Sequence, residues 1–169
     1  MGCGKSSVGR ELSRLLCCPF MDLDSVIEER AGRLIPEIFA TDGEAAFRRL
    51  EAETLHDIVV HPGQELACNG KDIRIVALGG GTVMTPECAE LVHEKTLCVY
   101  LRASAETLIR NLEAEAEGRP MLASGEPLNI RIATLMAQRS DTYEKTAHII
   151  IDTDGKSIGE IAGIIKESI

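Results

Sequence analysis

Gly2, Cys3, Gly4, Lys5, Ser6 and Ser7 open the chain with residue types suited to holding phosphate. Glycines at 2 and 4 let backbone N–H groups turn inward onto an anion. A helix that follows points its positive end at the same place. Lys5 can reach β- and γ-phosphates, and the Ser6 hydroxyl can ligate Mg²⁺. Only the right-hand half of the pattern G-x-x-x-x-G-K-[ST] is present. Its first glycine and the strand that feeds such a loop would stand before Met1. The plainer reading is a chance Gly-Lys-Ser turn. Against it, Val8, Leu12, Leu15 and Leu16 follow at helical spacing. Gly9, one turn past Lys5, permits close packing on a sheet. The expectation is that Met1 lies within the loop and is not the first residue of the working protein.

Further along, Asp22-Leu23-Asp24 follows a short apolar run. Past a strand's end both carboxylates can face the crevice where doubly wound folds bind ligands. One could orient Mg²⁺ through water, and the other could accept a hydroxyl proton. Helix capping by Asp24 is the competing reading. Arg48 and Glu51 are i, i+3 on a helix, so Glu51 can orient Arg48; a solvated charged face would look the same. Gly79-Gly80-Gly81 directly after an apolar strand lets a ligand approach the backbone. Arg119-Pro120 lies in a Gly- and Pro-containing segment suited to a lid, where an arginine could bridge transferring phosphates. Arg139, with Tyr143 one turn on, is indistinct by spacing alone. Arg110 could stack on a base or pair with Glu106.

The elements that must position these residues alternate. Strands are expected at Cys18–Met21 (ending in Asp22), Asp72–Leu78, Thr96–Leu101 and His148–Ile151. Helices are expected after Lys5 and at about 25–30, 36–39, 44–59, 86–93, 105–114, 128–142 and 157–166. Such βα alternation implies an α/β fold, a parallel sheet covered by helices on both faces. Segments 60–71 and 115–126 read as a surface loop and a lid.

With 169 residues the chain makes one ordinary domain. Aromatic residues are only 3%, so the core is aliphatic. A net charge of −9 argues against general nucleic-acid binding, which needs basic surface. Six cysteines without C-x-x-C pairing read as buried thiols of a reducing compartment. The four histidines show no ligand spacing. No signal peptide or long apolar run is present, and a cytoplasmic, membrane-free protein is expected.

Taken together, these pieces resemble the shikimate kinase family over essentially all 169 residues. The matching runs are MGCGKSS at the start, DLD at 22–24, IFATDGEAAFRRLE at 38–51, GGG at 79–81, RPML at 119–122 and QRSDTY at 138–143. The resemblance implies a three-layer P-loop kinase fold with a central parallel sheet in the order 2-3-1-4-5, its first strand absent from this chain. One domain would span 1–169, with substrate-binding helices at about 24–60 and a lid at about 113–126. The implied reaction converts shikimate and ATP to shikimate 3-phosphate and ADP, on the way to chorismate and aromatic amino acids.

The resemblance also implies roles. Gly2, Cys3, Gly4, Lys5, Ser6 and Ser7 would hold the ATP phosphates, with Lys5 on the transferred group. Ser6 and Asp22 would place Mg²⁺. Asp24 would bind shikimate hydroxyls and act as base. Arg48 and Arg139 would clamp the shikimate carboxylate, with Glu51 behind Arg48, and Gly80 and Gly81 would contact the ring. Arg119 would close onto ATP, and Arg110 would flank the adenine, with the loop 153–155 on its other side. A monomer is expected. Two alternatives stay open: a gluconate-kinase-like enzyme, and a non-catalytic nucleotide-binding relative.

Overall fold

Asp22 ends one strand and begins one helix, and that junction organises half of the molecule. The computed structural model describes residues 2–61, 73–116 and 127–169. The strands are β1 (Phe20–Asp22), β2 (Ile75–Ala77), β3 (Val99–Arg102) and β4 (Ile149–Asp152). The helices are α1 (Lys5–Leu16), α2 (Leu23–Ala31), α3 (Ile35–Thr41), α4 (Gly43–Val60), α5 (Pro86–Lys95), α6 (Ala105–Ala116), α7 (Leu128–Thr146) and α8 (Ile158–Glu167). A 3-10 turn covers Thr82–Met84.

β1 pairs in parallel with β2, Met21 opposite Val76, and β3 pairs in parallel with β4, Leu101 opposite Ile151. Among the described residues these are two separate two-stranded ladders. They correspond to the outer pairs of the expected order, 2-3 and 4-5. An apolar cavity of about 100 Å³ is lined by Leu78, Val99 and Leu101 among others.

Side chains alternate across the strands and so feed two cores. Val76 and Met21 pack on a core made by Leu23 and Ile27 of α2, Ile38 of α3, Phe47, Leu55 and Ile58 of α4, and Cys88 and Val92 of α5. Ile75 faces the other way, into Val8 and Leu12 of α1, Leu101, Ile151, and Ile161, Ala162 and Ile165 of α8. Helices therefore cover both faces. Gly9 is required by this packing: a Cβ there would stand 2.5 Å from the Phe20 ring.

Helix ends follow local chemistry. α2 starts at Leu23, two residues before the expected Ser25, because the Asp22 side chain caps it by accepting from the Asp24 N–H at 3.2 Å. Gly32 closes it in the left-handed conformation, as expected. Ser157 and Glu160 cap α8 reciprocally. β2 is shorter than expected, and α7 runs on to Thr146. α6 continues to Ala116, so the first residues of the expected lid are helical. The rest of that lid, Arg119 included, lies outside the described residues, as does most of segment 60–71.

Candidate active site

The opening loop takes the form its glycines permit. Gly2 and Gly4 both have positive φ, 70° and 76°. Gly4 precedes the first turn of α1, and its carbonyl accepts from the Val8 N–H at 2.9 Å. The far side of the loop rests on α6: Asn111 Nδ2 donates to the Gly2 carbonyl at 2.7 Å. A Cβ at Gly2 would stand 2.9 Å from Leu112 Cγ. The N–H groups at the start of α1 lie beside Lys5 and Ser6, an arrangement that can hold an anion.

Ser6 Oγ donates to Asp22 Oδ2 at 2.6 Å, while Asp22 Oδ1 takes the Asp24 N–H. One carboxylate thus joins the loop to the end of β1. The donor set is a hydroxyl and a carboxylate, both hard oxygens. Such a set suits Mg²⁺, which is held by one or two protein oxygens together with substrate phosphates.

Because Asp22 does the capping, Asp24 is spared that duty. Asp24 is half-buried, and its carboxyl is pushed above the ordinary carboxylate value. Burial is the main cause. The neighbouring Asp22 and Glu51 charges add to it, as does Glu28, while Lys5 acts in the opposite sense. Its Oδ1 would be 2.9 Å from a Cβ at Gly79, so the first glycine of the triplet makes room for this carboxylate.

The other two glycines carry the arginines. Arg48 Nη1 donates to Glu51 Oε2 at 2.7 Å, and a Cβ at Gly81 would stand 2.6 Å from Arg48 Nη2. Arg139 Nη1 donates to the Gly80 carbonyl at 2.9 Å, and the Tyr143 hydroxyl donates to the same oxygen. Two guanidinium groups from α4 and α7 therefore flank one Gly-Gly dipeptide. Glu51 is 1% exposed, and its second oxygen accepts from Thr82 Oγ1 at 2.6 Å.

The structure brings together Lys5, Ser6, Asp22, Asp24, Arg48, Gly80, Gly81 and Arg139. Cys3 and Lys5 line the apolar cavity with Gly79, Gly80 and Tyr143. Ser7 is exposed on the first turn of α1. Arg110 is exposed on α6. The start of that helix is tied to the 153–155 loop, Asp154 accepting from the Ser104 N–H at 3.1 Å. Sequence reasoning gave no role to Tyr143 or Thr82. The available signals were that Tyr143 lies one turn beyond Arg139 on the same helix and that Thr82 follows the glycine triplet.

The histidines differ from expectation in one respect. Donor atoms of His56, Asp57 and His61 lie within 4.8 Å of one another, although their spacing is irregular. The C-terminal turn of α4 gathers them. All three are exposed, and Asp57 is engaged by Arg30 at 2.7 Å. His56 and Asp57 also line a cleft of about 510 Å³, with Glu53, Glu87, Glu90 and Glu94. So acidic a cleft repels phosphates and is no place for a nucleotide.

The shikimate kinase family model matches residues 1–169. A curated shikimate kinase of Thermus thermophilus is 41% identical over 169 residues, covering 100% of this chain and 85% of the relative. One from Bordetella pertussis is 37% identical over 161 residues, covering 95% and 71%. Among solved structures, shikimate kinase from Acinetobacter baumannii in complex with shikimate superposes with a TM-score of 0.85 at 28% identity, covering 99% of this chain and 87% of that one. Shikimate kinase from Aquifex aeolicus gives 0.77 at 30% identity, covering 99% and 90%.

Proposed function

The chain belongs to the shikimate kinase family, and on that premise we propose how its residues divide the work of phosphorylating shikimate. The enzyme is a phosphotransferase: a hydroxyl oxygen of shikimate bonds to the γ-phosphorus of ATP, the bond to the β-phosphate oxygen breaks, and shikimate 3-phosphate and ADP leave. The observation that carries the division of roles is the pair of guanidinium groups, Arg48 against Gly81 and Arg139 on Gly80.

Those two arginines bind the shikimate carboxylate. Guanidinium groups match a planar carboxylate in two-point contact. With the acid end fixed, the ring hydroxyls fall toward the glycine triplet and Asp24. Asp24 accepts the proton of the attacking hydroxyl. Its raised pKa makes it a stronger base than an ordinary carboxylate.

Phosphoryl transfer has a loose transition state, so positioning and charge stabilisation do most of the work. Residues 2–7 hold the ATP phosphates, and Lys5 offsets charge on the transferred group. Mg²⁺ would supply positive charge against the charge that develops on the phosphates. Ser6 and Asp22 are the residues that would hold it. The family resemblance gives Arg119, outside the described residues, a role on the ATP phosphates, and Arg110 flanks the adenine.

Among the described residues no helix is long and apolar enough to cross a membrane. Cys3, Cys17, Cys88 and Cys98 carry free thiols, which supports action in the reducing cytoplasm.

An ADP-release assay with ATP and Mg²⁺, run in parallel on shikimate and gluconate, tests the reading. Turnover with shikimate alone is the expected result. A preference for gluconate, or release of ADP by neither, would remove the assignment.

A further inference from the structure

We infer that Thr82 is a positioning residue for shikimate binding, acting through Glu51 on Arg48. The inference rests on the reading of Arg48 as a carboxylate ligand. Thr82 is fully buried at the start of the 3-10 turn that follows the glycine triplet. Its hydroxyl donates to Glu51 Oε1 at 2.6 Å, and Glu51 Oε2 accepts from Arg48 Nη1 at 2.7 Å. The result is a relay from a buried hydroxyl, through a buried carboxylate, to a guanidinium at the crevice.

Geometry gives the hydroxyl a specific task. A point at the Cβ position of Gly79 lies 2.9 Å from Asp24 Oδ1, 3.1 Å from Glu51 Oε1 and 3.1 Å from Thr82 Oγ1. Three oxygens, two of them from carboxylates, converge over the same glycine. Only the Thr82 hydroxyl among these three has a proton to give when both acids are ionised. By donating to Glu51 Oε1 it satisfies the oxygen that faces Asp24 and leaves the other for Arg48. Glu51 then holds Arg48 through a single nitrogen, and the remaining guanidinium edge stays available to a ligand. Glu44 touches that edge only from an exposed position at 3.3 Å.

Without the hydroxyl, Glu51 Oε1 is a buried acceptor with no hydrogen-bond donor among the described residues. Rotation of the carboxylate to recover a partner pulls on Arg48, which Gly81 has no side chain to brace. The consequence falls on shikimate and spares the nucleotide, whose loop shares no hydrogen bond with this relay among the described residues.

The experiment compares wild type, Thr82→Val, Thr82→Ala and Thr82→Ser, measuring KM for shikimate, KM for ATP and direct ATP binding. Thr82→Val keeps the shape and loses the donor. Its shikimate KM should rise on the order of tenfold, with the ATP KM within about twofold of wild type. Thr82→Ser restores the donor and should recover most of the loss. Thr82→Ala is the companion should the valine enzyme fail to bind ATP. In a double variant, Glu51→Gln with Thr82→Val, the cost should not exceed that of Glu51→Gln alone, because both changes cut one relay. An unchanged shikimate KM in every Thr82 variant that binds ATP overturns the role. So do equal losses for both substrates, or a serine enzyme no better than the valine one. Wild-type turnover with shikimate is measured first; its absence counts against the reading of the site, not against the relay.

Discussion

The Arg48 guanidinium occupies the space that a side chain at Gly81 would need: a Cβ there would come within 2.6 Å of Nη2 and 2.7 Å of Nη1. Gly81 is buried, so the clash could not be relieved by swinging into solvent. Gly81→Ala should therefore displace Arg48 and raise the shikimate KM roughly tenfold or more, in line with the loss of one charge-assisted contact. ATP affinity should stay near wild type. Steady-state kinetics with each substrate varied in turn checks the split.

Arg139 approaches the same dipeptide from α7 and is held by the Gly80 carbonyl. Arg139→Ala should raise the shikimate KM by ~10- to 100-fold, since a hydrogen bond to a charged group is worth ~1.5–3 kcal/mol. Nucleotide binding should be nearly intact. An equal loss of ATP affinity, seen by calorimetry, would contradict the assignment.

Asp24 gives two linked predictions. As the proton acceptor it must be ionised, so activity should fall as pH drops through its raised pKa, above the usual carboxylate range. Asp24→Asn should cut kcat by ~10²- to 10⁴-fold, the usual contribution of a general base. It should leave ATP affinity largely unchanged. A mutant that keeps its turnover would remove Asp24 from the mechanism.

The second concerns stability. In the fold, burial and the charges of Asp22, Glu51 and Glu28 outweigh Lys5 and raise the Asp24 pKa. Unfolding returns it to about 3.9. Between those values the folded chain keeps a proton that the unfolded chain has lost, so stability falls as pH rises through the window. Asp24→Asn should accordingly raise the Tm at neutral pH. The difference from wild type should shrink as pH falls toward about 4. Thermal melts at a series of pH values would refute this if the difference grew with acidity.

Ser6 and Asp22 share one hydrogen bond at 2.6 Å. Ser6→Ala removes an oxygen donor for the metal and leaves Asp22 Oδ2 without that partner. The variant should need several-fold more Mg²⁺ for half-maximal rate, while nucleotide affinity measured without Mg²⁺ stays close to wild type. Equal Mg²⁺ dependence of both enzymes would place the ion elsewhere.

Much of this was legible in the sequence because local patterns dictated it. Gly2 and Gly4 announced the positive-φ loop, Gly9 the close approach to the sheet, and Arg48 and Glu51 their i, i+3 contact. What the sequence concealed depends on contacts between distant segments. On paper Asp24, just before the expected helix, is the candidate cap. The fold decides for Asp22, because the strand geometry turns its side chain back onto the Asp24 N–H. Thr82 and Tyr143 look ordinary until the packing brings one to Glu51, 31 residues away, and the other to Gly80, 63 residues away. The gathering of His56, Asp57 and His61 likewise comes from the way α4 ends, which no regular spacing reports.

The most direct test follows the phosphorus. The chain is incubated with ATP, Mg²⁺ and shikimate, and the products are read by phosphorus-31 NMR. The expected result is a new phosphate monoester resonance coupled to the proton on carbon 3 of shikimate, growing in step with ADP. ADP accompanied only by inorganic phosphate, or a phosphate on another hydroxyl, would contradict it.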